Sequence, residues 1–202
     1  VHPSLLPLHR GPHPEFWTIR HGDLEAGVTI HLVDDGVDTG AVVAQERFEV
    51  EPWLTGGQLQ VRAIRAGCLL LSDLLSGSTP VDELPSWEQE GDASYEGRID
   101  SQDLVLPFES DASEAYNLAR AANPWMNVRT FVGRRWWLGG HMASTGSLGM
   151  GPAPDLLRLT LQRPSLFADA DIGRPGTLRR MEGGGVAIAC NPGVVSFEEV
   201  SA

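Results

Sequence analysis

Residues 28–45 read VTIHLVDDGVDTGAVVAQ, and this stretch determines the predicted fold of the N-terminal half. Its first six residues are rich in β-branched side chains, and Asp34-Asp35-Gly36 follows them, which is typical of a strand that ends in a turn. A second predicted strand begins with the apolar residues 41–44 and runs on toward Val50. The stretch therefore predicts two neighbouring strands, joined by a polar loop that presents Asp38.

Helices are predicted on both sides of these strands. Pro14 to Arg20 suits a short helix, because proline is tolerated in the first helical turn. Thr55 to Leu75 predicts a long helix, with Thr55 as its N-cap and leucines recurring at helical spacing. Residues 112–122 predict a third helix, capped by Ser110-Asp111. The mixture of strands and helices predicts an α/β fold class.

The C-terminal half has a different pattern, in which short β-rich segments alternate with turns. This spacing predicts a small antiparallel barrel. The segment from Gly146 to Pro154 is predicted to be a mobile loop. The predicted strands cover residues 128–131, 135–138, 156–161, 176–180, 186–190 and 194–200.

Residues 79–102 separate the two halves and are rich in Pro, Gly, Asp, Glu and Ser. Such length and polarity argue against burial, so this segment is predicted to be a linker between domains. The predicted organisation is therefore residues 1–78 as one domain, 79–102 as the linker, and 103–202 as a second domain.

Composition narrows the possible functions. The 202 residues carry a formal net charge of −12, and all 15 basic residues are arginine. No apolar run approaches the roughly 20 residues that a membrane span needs, and the N-terminus does not resemble a signal peptide, so no membrane partner is expected. The two cysteines, Cys68 and Cys190, lack the spacing of a disulfide scaffold, which favours a reducing cytoplasm. No Cys or His spacing typical of a zinc site is present, so no metal is predicted.

His2 and Asp38 are the polar residues that the sequence singles out, each in a short loop stiffened by proline or glycine. Separately, His2 reads as a surface histidine and Asp38 as a turn residue. Aimed at each other, the two would form an acid–base pair. The residues around them resemble one family, the folate-dependent formyltransferases; the matching segments are His2-Pro3-Ser4-Leu5-Leu6-Pro7, Arg10-Gly11, Gly27-Val28-Thr29-Ile30-His31 and Asp38-Thr39-Gly40.

The resemblance implies a fold. It identifies residues 1–78 as the C-terminal part of a Rossmann-like catalytic domain. It is weaker in the C-terminal half, where it implies an OB-like barrel. In the family an asparagine lies two positions before the histidine, which would fall ahead of Val1, and a nucleotide-fold half precedes it. The chain is therefore expected to be N-terminally incomplete.

The resemblance also implies a mechanism and a co-substrate, 10-formyltetrahydrofolate, whose formyl group would pass to a primary amine. His2, with the asparagine, would stabilise the oxyanion, and Asp38 would shuttle the proton. Ionised Asp38 is expected to raise the pKa of His2. The pterin would bind the main chain of the loop Val33, Asp34, Asp35, Gly36 and Val37, with both acids as exposed turn residues.

Three further side chains are candidates for substrate contacts. Ser4 has no base at a recognisable spacing, so its hydroxyl is expected to close its loop rather than act as a nucleophile. For Arg10, contact with the acceptor or the folate tail remains open beside a plain surface position. For His31, support of the site remains open beside a satisfied strand histidine.

The acceptor is the open question. Residues 103–202 contain nine arginines and ten acidic residues, a near-neutral balance that neither requires nor excludes tRNA. The acidity of the whole chain favours a small amine, such as an amino-sugar nucleotide or an amino acid derivative. Methionyl-tRNA is the alternative acceptor, and a non-catalytic binding module or remnant is the alternative of another class.

Overall fold

A computed structural model of the protein describes residues 1–133, 141–142 and 156–201, which divide into two compact units, residues 1–99 and 100–202. No helix among these described residues is long and apolar enough to cross a membrane. In the first unit the elements follow the order α1 (Pro14–His21), β1 (Glu25–His31), β2 (Val42–Glu49) and α2 (Gly56–Ser76), with a 3₁₀ turn at Val81–Glu83.

The two predicted strands pair with each other. β1 and β2 are antiparallel, and Thr29 lies opposite Gln45. Strand β1 is buried along nearly its whole length, as expected for a strand covered on both faces. His2 pairs with Thr29 on the other edge of β1, through main-chain hydrogen bonds of 2.8 Å in each direction. The N-terminal loop is thereby held against the centre of the core.

Helix α2 follows the predicted N-cap. The Thr55 side chain accepts from the Gln58 main-chain N–H, and the Gln58 side chain accepts from the Thr55 N–H, which forms a capping box. Leu59, Ala63 and Ala66 are buried on one face of this helix. The α/β prediction for this unit is confirmed by this arrangement of strands and helices.

Part of the predicted linker packs against the first unit. Trp87 exchanges main-chain hydrogen bonds with Val42 (2.7 and 2.9 Å), which extends the β1–β2 sheet by one bridge. Further along, Arg10 bonds to Ser94 and Glu96 through main-chain contacts of 3.0 and 2.8 Å. Residues 87–96 therefore pack beside the N-terminal loop, and this polar stretch follows an irregular path along the first unit rather than a free one.

The second unit is an antiparallel sheet with one helix. Helix α3 (Ala112–Ala122) begins at Asp111, whose carboxylate accepts from the Ser113 and Glu114 N–H groups. The described strands are β3 (Val128–Gly133), β4 (His141–Met142), β5 (Leu156–Phe167), β6 (Leu178–Arg180), β7 (Val186–Ala189) and β8 (Val194–Ser201).

The barrel prediction is only partly met by this sheet. The spatial order is β3-β5-β8-β7-β6-β4, and every pairing is antiparallel. Within the described part of the chain β3 and β4 are the first and last strands of this order and do not pair with each other. The sheet is therefore open rather than a closed barrel. The predicted strand 135–138 and the loop Gly146 to Pro154 lie outside the described residues.

Thr29 holds the N-terminal loop to the sheet with its side chain as well. Its hydroxyl is fully buried, donates to the Ser4 carbonyl at 2.7 Å, and accepts from Gln45 Nε2 at 2.9 Å and the Leu6 N–H at 3.2 Å. Replacing it with the isosteric valine, Thr29→Val, leaves buried donors and acceptors without their partner. We expect a loss of about 1–3 kcal/mol in the free energy of unfolding.

Urea unfolding measures this loss as a lower midpoint at an unchanged slope. Thr79→Val, at an exposed position, is the matched control and should leave the midpoint within error. A midpoint for Thr29→Val equal to that of the control would show that the three hydrogen bonds contribute nothing net.

Candidate active site

The site is organised around His2, whose ring is almost fully buried. Its Nε2 lies 2.9 Å from the main-chain carbonyl oxygen of His9. A carbonyl oxygen can only accept, so Nε2 carries a proton and donates. The other ring nitrogen, Nδ1, is then the one that can exchange a proton with a reacting group.

Asp38 faces that nitrogen. Its Oδ2 lies 3.5 Å from His2 Nδ1, and the same oxygen accepts a 2.8 Å hydrogen bond from the Gly11 main-chain N–H. Asp38 has φ of 55°, in the left-handed region that aspartate tolerates better than most residues. Its main-chain carbonyl accepts from Gln89 Nε2 at 2.8 Å. The carboxylate is thus held from both its backbone and its side chain.

Gly11 supplies its N–H from a conformation that favours glycine. Its φ is 98°, and a Cβ at this position would lie 2.4 Å from the Glu96 carbonyl oxygen. Because the main chain of residue 96 comes this close, the loop can aim its N–H at Asp38 only with glycine here.

His31 lies near the other carboxylate oxygen of Asp38. Its Nε2 lies 3.7 Å from Asp38 Oδ1, and its Nδ1 donates to the Leu32 carbonyl at 2.8 Å. The His2 and His31 rings meet edge to face, with centroids 6.5 Å apart. The Asp38 carboxylate therefore lies between two imidazoles, each of which donates its far N–H to a main-chain carbonyl.

Asp38 raises the pKa of His2, as expected, but a larger effect makes the net shift a lowering. Burial of the ring lowers the pKa of His2 below its ordinary value of 6.5, and this effect outweighs the His9 carbonyl and the Asp38 carboxylate, which both raise it. The nearby His31 ring lowers the His2 pKa further. His2 therefore rests in its neutral form at neutral pH.

The lowered pKa predicts a pH-dependent stability. Between the folded-state pKa of His2 and 6.5 the unfolded chain binds more protons than the folded chain. The contribution of His2 is complete above pH 6.5 and decreases as the pH falls below it. An NMR titration of the His2 ring should give a midpoint below 6.5, and Asp38→Asn should lower it again by removing a charge that raises it. A midpoint above 6.5 would contradict this account.

The loop proposed for the pterin is exposed. Val33 is 94% and Val37 54% accessible, so both residues face solvent. Asp34 shapes the loop, because its Oδ1 accepts from the Thr39 hydroxyl at 2.6 Å and the Gly36 N–H at 3.1 Å. The hydrogen bond from Thr39 is the main reason why the pKa of Asp34 lies below its ordinary value. Asp35 is exposed on the same loop.

Ser4 and Arg10 lie further from the pair. The Ser4 hydroxyl is buried and donates to the Leu8 carbonyl at 2.6 Å, which closes its own loop. Arg10 donates to Gln89 Oε1 through Nε and Nη2, at 3.2 and 2.8 Å. Since Gln89 also bonds to the Asp38 and Gly40 carbonyls, Arg10 reaches the Asp38 loop through one intervening side chain.

Sequence reasoning missed Gln89, which lies in the stretch predicted to be a linker. The aromatic residues Trp87 and Tyr95 in that polar stretch were the signal available. A cavity of about 610 Å³ also opens between residues 5–8 and 87–92, with Gln45 and Arg47 in its wall. Its lining includes neither His2 nor Asp38.

Known proteins with similar sequences point to the family of this chain. The family model described as formyl transferase matches residues 1–74. A methionyl-tRNA formyltransferase of Clostridium botulinum is 31% identical over 205 aligned positions, which cover 99% of this chain and 57% of that protein. One from Synechococcus is 36% identical over 124 positions, or 61% of this chain and 38% of that protein. The chain thus spans 38% to 57% of the length of these two relatives.

Solved structures with the same fold include two sugar enzymes. The sugar 3N-formyl transferase WlaRD, solved with dTDP and 5-N-formyl-THF, superposes with a TM-score of 0.64 at 20% identity, covering 97% of this chain and 62% of its own. An N-formyltransferase from Helicobacter canadensis superposes with a TM-score of 0.61 at 18% identity, covering 97% and 64%. These structures show the shared fold, the chain as a whole is similar to methionyl-tRNA formyltransferases, and residues 1–74 belong to the formyl transferase family.

Proposed function

We propose that this protein transfers a formyl group from 10-formyltetrahydrofolate to a primary amine, with no metal at the reacting atoms. The observation that carries the proposal is the fixed pair of His2 and Asp38, 3.5 Å apart, within the segment that matches the family model. His9 and Gly11 hold the two side chains from separate parts of the N-terminal loop. Such preorganisation is what acid–base chemistry at one carbon centre requires.

The reaction needs a proton to move between two nitrogens. The amine nitrogen attacks the formyl carbon, the bond from that carbon to N10 of the folate breaks, and the proton lost by the amine passes to N10. We assign the proton transfer to Asp38. His2 Nδ1 is the ring nitrogen free to donate to the oxyanion, because Nε2 is already committed to the His9 carbonyl.

His2 must gain a proton before it can donate from Nδ1, since burial keeps it neutral at rest. Asp38 lies where it would stabilise the imidazolium, and His31 lies near the other oxygen of the same carboxylate. We therefore assign the donor role to the His2–Asp38 pair carrying one added proton, with His31 supporting Asp38.

Loop 33–37 is the proposed site for the pterin. Its main chain offers N–H and C=O groups next to Asp38, and the hydrogen bonds of Asp34 hold its turn. Solved relatives have been crystallised with formyl-tetrahydrofolate or tetrahydrofolate, which supports the same class of co-substrate here. Ser4 would close the N-terminal loop in which it lies. Arg10 would reach the acceptor or the folate tail through small movements of Gln89.

The proposed division of labour places catalysis in residues 1–78. The second unit would bind the acceptor, and we propose that its antiparallel sheet belongs to an OB-like barrel. The free thiols of Cys68 and Cys190 suit a cytoplasmic enzyme.

Two acceptors remain in competition, each favoured by a different observation. The relatives that cover nearly the whole chain are methionyl-tRNA formyltransferases, which favours methionyl-tRNA. The net charge of −12 favours a small amine, because an acidic surface repels the phosphates of tRNA. We place methionyl-tRNA first, because identity along the whole chain reflects the acceptor-binding unit, whereas net charge is spread over all surfaces.

The decisive experiment supplies the full-length protein with 10-formyltetrahydrofolate and either methionyl-tRNA or an amino-sugar nucleotide. Release of tetrahydrofolate together with a formylated product, identified by mass spectrometry, would support formyl transfer. If tRNA is the acceptor, its binding should weaken steeply with salt. Turnover of methionyl-tRNA that is insensitive to salt would contradict the tRNA assignment, and no product with either acceptor would contradict the proposed function for these acceptor classes.

A further inference from the structure

A second polar cluster includes His9, the residue whose main-chain carbonyl accepts from His2. It consists of His9, His21 and Glu96, whose ligand atoms all lie within 4.8 Å of one another. His9 Nδ1 is 3.6 Å and His21 Nδ1 3.7 Å from the same oxygen, Glu96 Oε1. Three separate segments of the first unit converge here: the N-terminal loop, the end of α1 and the residues after Gly91.

His9 has an unused nitrogen that points into this cluster. Its side chain is 7% exposed, and its Nδ1 is buried with no hydrogen-bond partner. A buried polar atom without a partner costs free energy, so its presence in a folded core calls for an explanation. The Glu96 oxygen at 3.6 Å is too far to serve as a hydrogen-bond acceptor.

The other nitrogen of His9 sets the tautomer. Nε2 lies 2.6 Å from Asp23 Oδ2, and a carboxylate accepts, so Nε2 carries the proton. In the neutral ring Nδ1 then carries a lone pair, directed at the space between His21 and Glu96. A carboxylate that orients a histidine through its far N–H is the arrangement found behind most metal-ligating histidines.

From this geometry we propose that His9 Nδ1, His21 Nδ1 and Glu96 bind one divalent transition-metal ion of the Zn²⁺ class. Two imidazoles and one carboxylate are ligands that such ions accept, with a fourth position left for water. Ligands about 2.0–2.1 Å from a tetrahedral ion lie roughly 3.3 Å apart, so these atoms need to move by only a few tenths of an ångström to about 1.5 Å.

The surroundings allow the ion to enter. His21 is 45% exposed at the edge of the cluster, while His9 forms its buried floor. The ion would join the loop that carries His9 and Gly11 to the end of α1. The His9 carbonyl accepts from His2, and the Gly11 N–H donates to Asp38, so the ion would brace the backbone on which the catalytic pair depends. It would not touch the reacting atoms.

Binding of the metal alone tests the proposal without reference to activity. Isothermal titration of the metal-free protein with Zn²⁺ should show one site per chain, and Co²⁺ should give the visible absorption of a tetrahedral complex. Trp17 provides a local reporter, because its ring lies 5.9 Å from that of His21. Its fluorescence should be quenched by Co²⁺, and Trp17→Phe should remove that quenching.

Variants at the site should weaken Zn²⁺ binding in proportion to their role. His21→Gln and Glu96→Gln remove a ligand from partly exposed positions and should lower affinity at least tenfold. Asp23→Asn, which alters only the orienting partner of His9, should lower it about 10- to 100-fold. His13→Asn is the matched control: this exposed histidine also has a positive φ (59°), which asparagine tolerates.

The control should bind Zn²⁺ as the unaltered protein does. The proposal is overturned if the unaltered protein gives neither a Zn²⁺ heat nor a Co²⁺ spectrum. It is equally overturned if His21→Gln, shown by circular dichroism to be folded, binds Zn²⁺ as tightly as His13→Asn.

Discussion

Asp38→Asn is expected to lower kcat for formyl transfer by roughly 10²- to 10⁴-fold, the range for loss of a positioned acid–base group. The amide cannot accept a proton from the attacking amine, and it no longer stabilises a charged His2. The fold should survive. Asparagine tolerates the left-handed conformation of residue 38 (φ 55°), and its amide oxygen can still accept from the Gly11 N–H.

Asp73→Asn is the matched control, since it makes the same chemical change at an exposed position on α2, outside the proposed site. It should leave kcat unchanged. Both variants should unfold at the same urea concentration as the unaltered protein, which separates a chemical loss from a structural one. Normal turnover by Asp38→Asn would remove Asp38 from the mechanism and leave His2 without the partner that its role requires.

Gly27→Ala is expected to give the largest loss of stability, about 3 kcal/mol in the free energy of unfolding. Gly27 lies in buried strand β1, and a Cβ there would lie 2.3 Å from the Glu46 carbonyl oxygen and 2.3 Å from Leu5 Cδ2. The carbonyl belongs to the paired strand β2, so the strands would have to separate. Leu5 belongs to the loop that begins at His2, so the site should be disturbed as well.

Gly97→Ala provides the comparison, because a Cβ at that position meets nothing within 4 Å. Its unfolding midpoint should be unchanged or slightly higher, since alanine restricts the unfolded chain. A Gly27→Ala midpoint equal to that of Gly97→Ala would mean that the β1–β2 pair accommodates one added methyl group without loss of stability. The close approach of Leu5 would then have no bearing on stability.

The local elements could be predicted from the sequence because their signals are local. The cap at Thr55, the proline at the start of α1 and the β-branched run at residues 28–33 each depend on neighbours within a few positions. The pairing of His2 with Asp38 could be predicted only through the resemblance, since 36 positions separate them and no spacing rule joins two loops. The closed barrel is not seen in the described residues, because strand spacing predicts strands but not whether the two edges of a sheet meet.

The sequence by itself determined the class of the chain, the order of most of its described helices and strands, and the two residues on which the proposed chemistry rests. Only the tertiary structure decided the environment of those residues. Burial outweighed the rise in the His2 pKa that Asp38 causes, and the return of residues 87–96 brought Gln89 to the Asp38 loop and Glu96 to His9 and His21. The physical reason is that desolvation and distances between remote segments depend on how the chain packs, whereas helix and strand signals are contained in short stretches of sequence.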